Sequence, residues 1–357
     1  MGRGKTKVGI MSAETLEWLN SMTLIGFSGK RGKFWHYRES MQGSEPNHYE
    51  GAVPVEDITR RLFNFQLNET PLYIVVPCDL QSATELIDGQ PFKRVVVEDR
   101  KAITASDNND VLGIFKSGYK PSQYTQALLE DTQAIAGHGA EYASAGLLQN
   151  RAVAWVQLEA TETLTACGVD YRPFLMAIDS CNGAFARSWS TGNGVTGCDN
   201  TMVNNLLNAL GVFKMKHTKH SKFNADTVRD ALGILEAIGQ EFAESLEVLT
   251  NWAVSDADWA KFLDEVCKFD ADAKTTRSQT IAANKRSDLQ NLWNDDERVN
   301  PWKGTAFGVL QATNTWTQHV QTVRGAKRAD RNMLNFISGA TEKDDSNTLK
   351  VLELICA

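Results

Sequence analysis

The chain has no apolar run approaching the roughly 20 residues that a membrane-spanning helix needs. Its start, MGRGKTKVGIM, lacks the apolar stretch of a secretory signal. Both absences predict a cytoplasmic protein. Paired cysteines are missing as well: Cys78, Cys167, Cys181, Cys198, Cys267 and Cys356 are scattered and form no CxxC. That excludes the disulfide framework of a small secreted domain and predicts reduced thiols. Positive charge is not in excess, since 37 Lys and Arg stand against 44 Asp and Glu, a net charge of −7 and a pI of about 5.5. Bulk charge therefore does not advertise a nucleic-acid binder. The usual nucleotide and hydrolase signatures are absent: there is no GxxxxGK[ST], GxSxG or HExxH, and no GxGxxG behind a convincing strand.

What is present is ample for a substantial core: 357 residues, 42% of them hydrophobic. Strand-like runs (PLYIVVP, FKRVVVED, VLGIFKSGY) and helical spacings (VEDITRRLFNF, SQYTQALLEDTQAIAG) mix in the first half, and amphipathic helical patterns fill the second. The expectation is an α+β fold, an N-terminal antiparallel sheet with helices followed by an all-helical C-terminal region. The domains expected are an α+β core over 1–222 and a helical domain over 223–357. Ser12 is expected to cap a first short helix, Asn224 or Asp226 a long one reaching Trp252, and Asp256 the next. Further helices are expected at about 275–293, 304–323, 326–337 and 347–355.

Residues 143–222 organise the rest. From Arg151 to Leu158, Ala152, Ala154, Val156 and Leu158 fall on one face, and Arg151, Val153, Trp155 and Gln157 on the other. From Ala184 to Trp189, the small residues Ala184, Ala186 and Ser188 alternate with Phe185, Arg187 and Trp189. Gln149-Asn150 and Asn182-Gly183 are expected to close two hairpins. The larger side interleaves aromatic and basic groups, and KMKHTKHSK follows with Lys214, Lys216, Lys219 and Lys222. Such a run is either a solvated loop or a contact to a nucleic-acid backbone.

Bland readings compete elsewhere. In GFSGKRGKFWHY, Lys30, Arg31 and Lys33 stand beside Phe34, Trp35 and Tyr37, a phosphate-and-base site or simply a flexible loop with one anchoring tryptophan. TGNGVTG lacks the P-loop lysine and is read as a turn. Cys181, Cys198, His217 and His220 could supply a Cys2His2 zinc site only if three segments converged; buried thiols and surface imidazoles are the simpler reading, so no metal is expected. Asp179 and Asp199 read as a turn residue and a helix cap.

FWH near the start, the strand LGIFKSGY, AGLLQNRAVAW, PFLMAIDSCNGAFA with GCDNTMVNNLLNAL, the basic-histidine stretch, and GTAFGVLQATNTWTQHV together resemble the phage- and plasmid-like family catalogued as domain of unknown function 932. The order of strand pairs and helix is more distantly similar to phage single-strand annealing proteins of the RecT/Erf kind. The resemblance implies a phage- or plasmid-encoded protein working in the host cytoplasm. At Thr196-Gly197-Cys198-Asp199-Asn200-Thr201 the basic residue of the family pattern is missing, which removes a reason to bind an anion there.

The function expected is binding or annealing of single-stranded DNA in recombination or replication, with no covalent chemistry, catalytic residue or cofactor. Arg151, Trp155, Phe185, Arg187 and Trp189 are expected to line one exposed sheet face, continued by Lys214, Lys216, Lys219 and Lys222, with phosphates neutralised by cations and bases stacked on aromatics. Because the chain is acidic, a homo-oligomer is expected, repeating these patches into a track. The alternatives are a factor that binds and inhibits a host protein, and an enzyme with an unrecognised site.

Overall fold

Period-two alternation dominates residues 140–195, and in the computed structural model it becomes antiparallel sheet. The structure describes residues 21–31, 39–42, 44–137, 139–195, 212–218, 221–232, 235–268, 276–323, 331–332, 335 and 340–356. The fold is α+β, with antiparallel sheets in the first half and helices from Ala225 onward. The expected helix after Ser12, most of the expected one at 326–337, and the segment TGCDNTMVNNLLNALG lie outside the described residues.

The central sheet has seven strands: β1 (Thr23–Ile25), β6 (Ala140–Leu148), β7 (Val153–Ala160), β9 (Val169–Ser180), β10 (Arg187–Val195) and β11 (Val212–Met215) in that spatial order, with β8 (Leu164–Ala166) paired to β9. The β6–β7 turn forms where expected, and Gln149, Asn150 and Arg151 all adopt positive φ (51°, 51° and 68°). The β9–β10 connection is longer than a tight hairpin. Ser180 Oγ accepts from Phe185 N–H at 2.9 Å and donates to Phe185 O at 2.7 Å, so residues 181–186 form a closed loop and the strand starts only at Arg187. Gly183 takes φ 81° within it. One expectation is overturned here: Thr191–Val195 of TGNGVTG is not a turn but the end of β10, with Gly192 opposite Phe174 and Gly194 opposite Arg172. Glycine carries no turn signal where a neighbouring strand supplies the ladder.

Register decides what each face does. The row Ala145–Val156–Ala177–Trp189–Phe213 lies on one face and the row Gly146–Trp155–Ile178–Ser188–Lys214 on the other. On the first face packs a helical segment, a π turn at Thr125–Glu130 leading into α2 (Asp131–Ala136), which Gly137 ends with φ 71°. The helix α1 (Val55–Arg61) adds Ile58 to the same core.

A second, four-stranded sheet is built on β4 (Gln90–Ala105). It pairs along one edge with β2 (Leu67–Pro77), and along the other with β3 (Glu85–Ile87) at its start and β5 (Val111–Lys116) at its end.

The helical region comprises α3 (Ala225–Leu232), α4 (Leu235–Asn251), α5 (Asp256–Val266), α6 (Thr276–Asp295), α7 (Ala306–Thr315) and α8 (Ala340–Cys356). Asn224 caps α3 through Thr227 N–H at 3.0 Å. Ser255, not Asp256, caps α5 by accepting from Asp258 N–H, because the hydroxyl one residue earlier reaches the first free amides. The final helix begins at Ala340, seven residues before the expected start. Trp259 stacks on Trp293 at 4.3 Å, and Phe242, Phe262, Phe307 and Leu310 complete this core. Tyr171 of β9 joins it, donating to Gly239 O at 2.9 Å and meeting Phe242 edge-on, so α4 rests on the sheet.

Candidate nucleic-acid interface

The exposed aromatic face expected from alternation is not there. Trp155 is 1% exposed and Trp189 fully buried, and the registers above put them on opposite faces of the sheet. Trp155 lies across from Gly146, where an added Cβ would come within 2.8 Å of the indole; the absent side chain is what lets the ring lie flat over β6. Trp189 Nε1 donates to Thr132 Oγ1 at 3.1 Å, fixing it under α2. The face through Val153, Trp155 and Gln157 is interior at all three positions. Polar residues on it are satisfied internally: Ser144 donates to Gln157 Oε1 at 3.1 Å and Gln157 Nε2 to Glu159 at 3.1 Å.

The two arginines are likewise committed. Arg151, held at the turn with positive φ, has Nη1 2.8 Å from Asp107 and Nη2 3.6 Å from Asp110, and its guanidinium lies 4.5 Å from the Phe65 ring centre. The Arg151 hydrogen bond keeps the Asp107 carboxyl below the usual carboxylate range. Arg187, 3% exposed, pairs with Asp131 at the start of α2 and packs 4.7 Å from the Trp189 ring centre. Neither cation faces solvent as a free phosphate contact. Of the five residues assigned to the face, Phe185 alone is half-exposed, in the loop before β10 rather than on the strand.

The lysines behave differently. Along β11 and just beyond it, Lys214 and Lys216 are exposed, whereas Phe213, Met215 and His217 turn inward and are half-buried. Lys222 is exposed in the segment leading to α3; Lys219 lies outside the described residues. An antiparallel bridge, Tyr119 to Thr218, sets this edge beside the end of β5. Lys116 and Lys120 are thereby brought to the same margin, both exposed. Lys120 is bonded to Glu69 at 2.8 Å, but Lys116, Lys214, Lys216 and Lys222 have no ion-pair partner among the described residues. Phe115 stacks on Tyr119 at 3.8 Å, and Phe115 also borders Gly183 of the Phe185 loop. Lys116 escaped the sequence reading because some hundred residues separate it from Lys214 and only the bridge joins them.

Under this edge lies a buried polar group. His217 Nε2 is 2.8 Å from Asp179 Oδ1, and Asp179 is 1% exposed. Tyr119 donates to Ser180 O at 3.1 Å, and Tyr124 to Cys181 Sγ at 3.3 Å. Burial pushes the Cys181 thiol up to about 12, with the Asp179 charge adding to the rise against the opposing Tyr124 hydrogen bond. A thiol so shifted is almost entirely protonated at neutral pH and is a poor nucleophile. Native protein at pH 8 should therefore leave Cys181 unmodified by iodoacetamide while the exposed Cys167 and Cys356 react; peptide mass mapping checks this, and equal labelling of all three would contradict it. Among the described residues, no three His, Cys, Asp or Glu side chains converge as metal ligands. Of the zinc set weighed above, Cys198 and His220 lie outside those residues.

Among the described residues, no helix is long and apolar enough to cross a membrane. No curated protein and no solved structure matches the chain. The family described as Domain of unknown function (DUF932) matches residues 111–336, from β5 through strands β6–β11 of the central sheet and α7 to beyond it. With more than half its length matched, the chain belongs to that family.

Proposed function

We propose that this protein binds single-stranded DNA, as a phage- or plasmid-encoded binding or annealing factor in recombination or replication, and that phosphates run along the β11 edge. One observation carries the reading: alternation along β11 anchors Phe213, Met215 and His217 inward and leaves Lys214 and Lys216 outward without carboxylate partners among the described residues. Unneutralised ammonium groups displace condensed counterions from a nucleic-acid backbone, whereas a paired arginine such as Arg187 does not. Lys116 and Lys222 extend the track, and Phe185 with Phe115 and Tyr119 supplies the nearest aromatic surface for bases. The proposal rests on this placement of charge and not on the distant likeness to annealing proteins. Because the net charge is −7, a continuous track needs the edge to be repeated in an assembly.

Titrating a fluorescent single-stranded oligonucleotide at several salt concentrations tests it. The Lys214→Gln, Lys216→Gln variant should bind more weakly and lose about 0.7 of log–log salt slope per contact removed. Wild-type protein without salt-dependent oligonucleotide binding would sink the proposal and favour a protein-binding factor. An enzyme acting through Cys181 is disfavoured by the protonated state of its thiol.

A further inference from the structure

Beyond the oligonucleotide edge, the second sheet forms an arm with an apolar surface of its own. The start of β2 and the end of β4 join the main core through Leu67, Ile103 and Ala105, but apart from β5 no described helix or strand outside the arm makes extensive contact with β2, β3 or β4. Yet Tyr73, Ile74 and Val75 of β2, Leu86 and Ile87 of β3, and Val95 and Val96 of β4 are each 38% to 62% exposed. Register places Ile74 opposite Val95 and Tyr73 opposite Val96, so both faces of the arm are apolar. Single exposed aliphatic residues need no explanation, but seven on one projecting element mark an interaction surface. The family match begins at residue 111, so it takes in β5 but none of β2, β3 or β4.

The charge pattern selects the occupant. In β4 the run Lys93-Arg94-Val95-Val96-Val97-Glu98-Asp99 carries two cations, three valines and two anions in that order. Such a segment is self-complementary when inverted: two copies laid antiparallel about Val96 set Lys93 and Arg94 of one against Glu98 and Asp99 of the other, valines facing valines. Within one chain this complementarity is only partly used. Arg94 pairs with Glu85 at 3.1 Å and Asp99 only loosely with Arg100 at 4.0 Å, while Lys93 and Glu98 have no ion-pair partner among the described residues. The outer strand β2 adds a neutral edge: no charged residue lies between Pro71 and Cys78. Exposed edges are commonly blunted by charge, and here the two prolines, Pro71 and Pro77, merely bound the free stretch. We propose that the β2–β4 arm is an interface between copies of this chain, with two arms lying antiparallel.

The test uses the full chain without nucleic acid, so its failure is separate from failure of the oligonucleotide proposal. Sedimentation over a concentration series should show wild-type protein self-associating. Ile74→Glu with Val95→Glu should shift it to monomer with an unchanged far-ultraviolet circular dichroism spectrum. Because that variant puts two charges in one patch, charge reversal provides the second arm of the experiment. Lys93→Glu with Arg94→Glu, and separately Glu98→Lys with Asp99→Lys, should each weaken self-association about tenfold or more, and mixing the two variants should restore association. Wild-type protein that stays monomeric at every concentration, or charge-reversed variants that associate like wild type alone and mixed, would overturn the proposal.

Discussion

Trp189→Ala should lower folding stability by about 3–5 kcal/mol, as removal of a large buried aromatic side chain does. The indole is fully buried, lies in the row Val156–Ala177–Trp189–Phe213, and gives its N–H to Thr132. Truncation removes the packing under α2 and leaves the Thr132 hydroxyl without that donor. Trp155→Ala should behave alike, since its ring fills the space over Gly146. Urea unfolding followed by circular dichroism measures the loss. In conditions where the variants stay folded, the salt slope of oligonucleotide binding should match wild type, because neither ring reaches the surface. A variant of wild-type stability with weakened binding would contradict this and return the tryptophans to a stacking role.

The second large effect is expected at the pair Arg187–Asp131. Both residues are buried, at 3% and 7% exposure, and Asp131 also accepts from Gln126 Nε2 at 3.0 Å. Arg187→Leu removes the cation and strands a carboxylate beneath the π turn and α2, which should cost about 3–5 kcal/mol. Replacing both, Arg187→Leu with Asp131→Leu, should recover most of that loss, because two apolar side chains of similar bulk need no mutual neutralisation. Unfolding curves of the two single variants and the double variant form the necessary cycle. An Arg187→Leu protein as stable as wild type, with weaker DNA binding, would show the guanidinium acting on ligand instead.

The sequence by itself determined most of the strands between about 140 and 190, the hairpin between β6 and β7, and the helical second half. Each of these follows from local rules: alternation at period two, positive-φ turn residues at Gln149-Asn150, caps such as Asn224, and apolar spacing near four residues. Alternation also sorted Trp155 from Val156 correctly. What it left open was whether a face is covered, and which face of β7 continues into which face of β10. Those questions were decided by tertiary structure. The register Trp155–Ile178–Ser188 puts Trp155 and Trp189 on opposite sides, and α2, far away in the chain, supplies Thr132 and Asp131 to enclose Trp189 and Arg187. Pairing in a sheet and burial of a face both depend on partners distant in sequence, so a basic-aromatic strand reads the same whether it meets solvent or a helix. The lysine edge likewise needed the tertiary structure: β11, only a basic run by sequence, ends the sheet and turns Lys214 and Lys216 outward, and Lys116 joins them through the bridge from Tyr119 to Thr218.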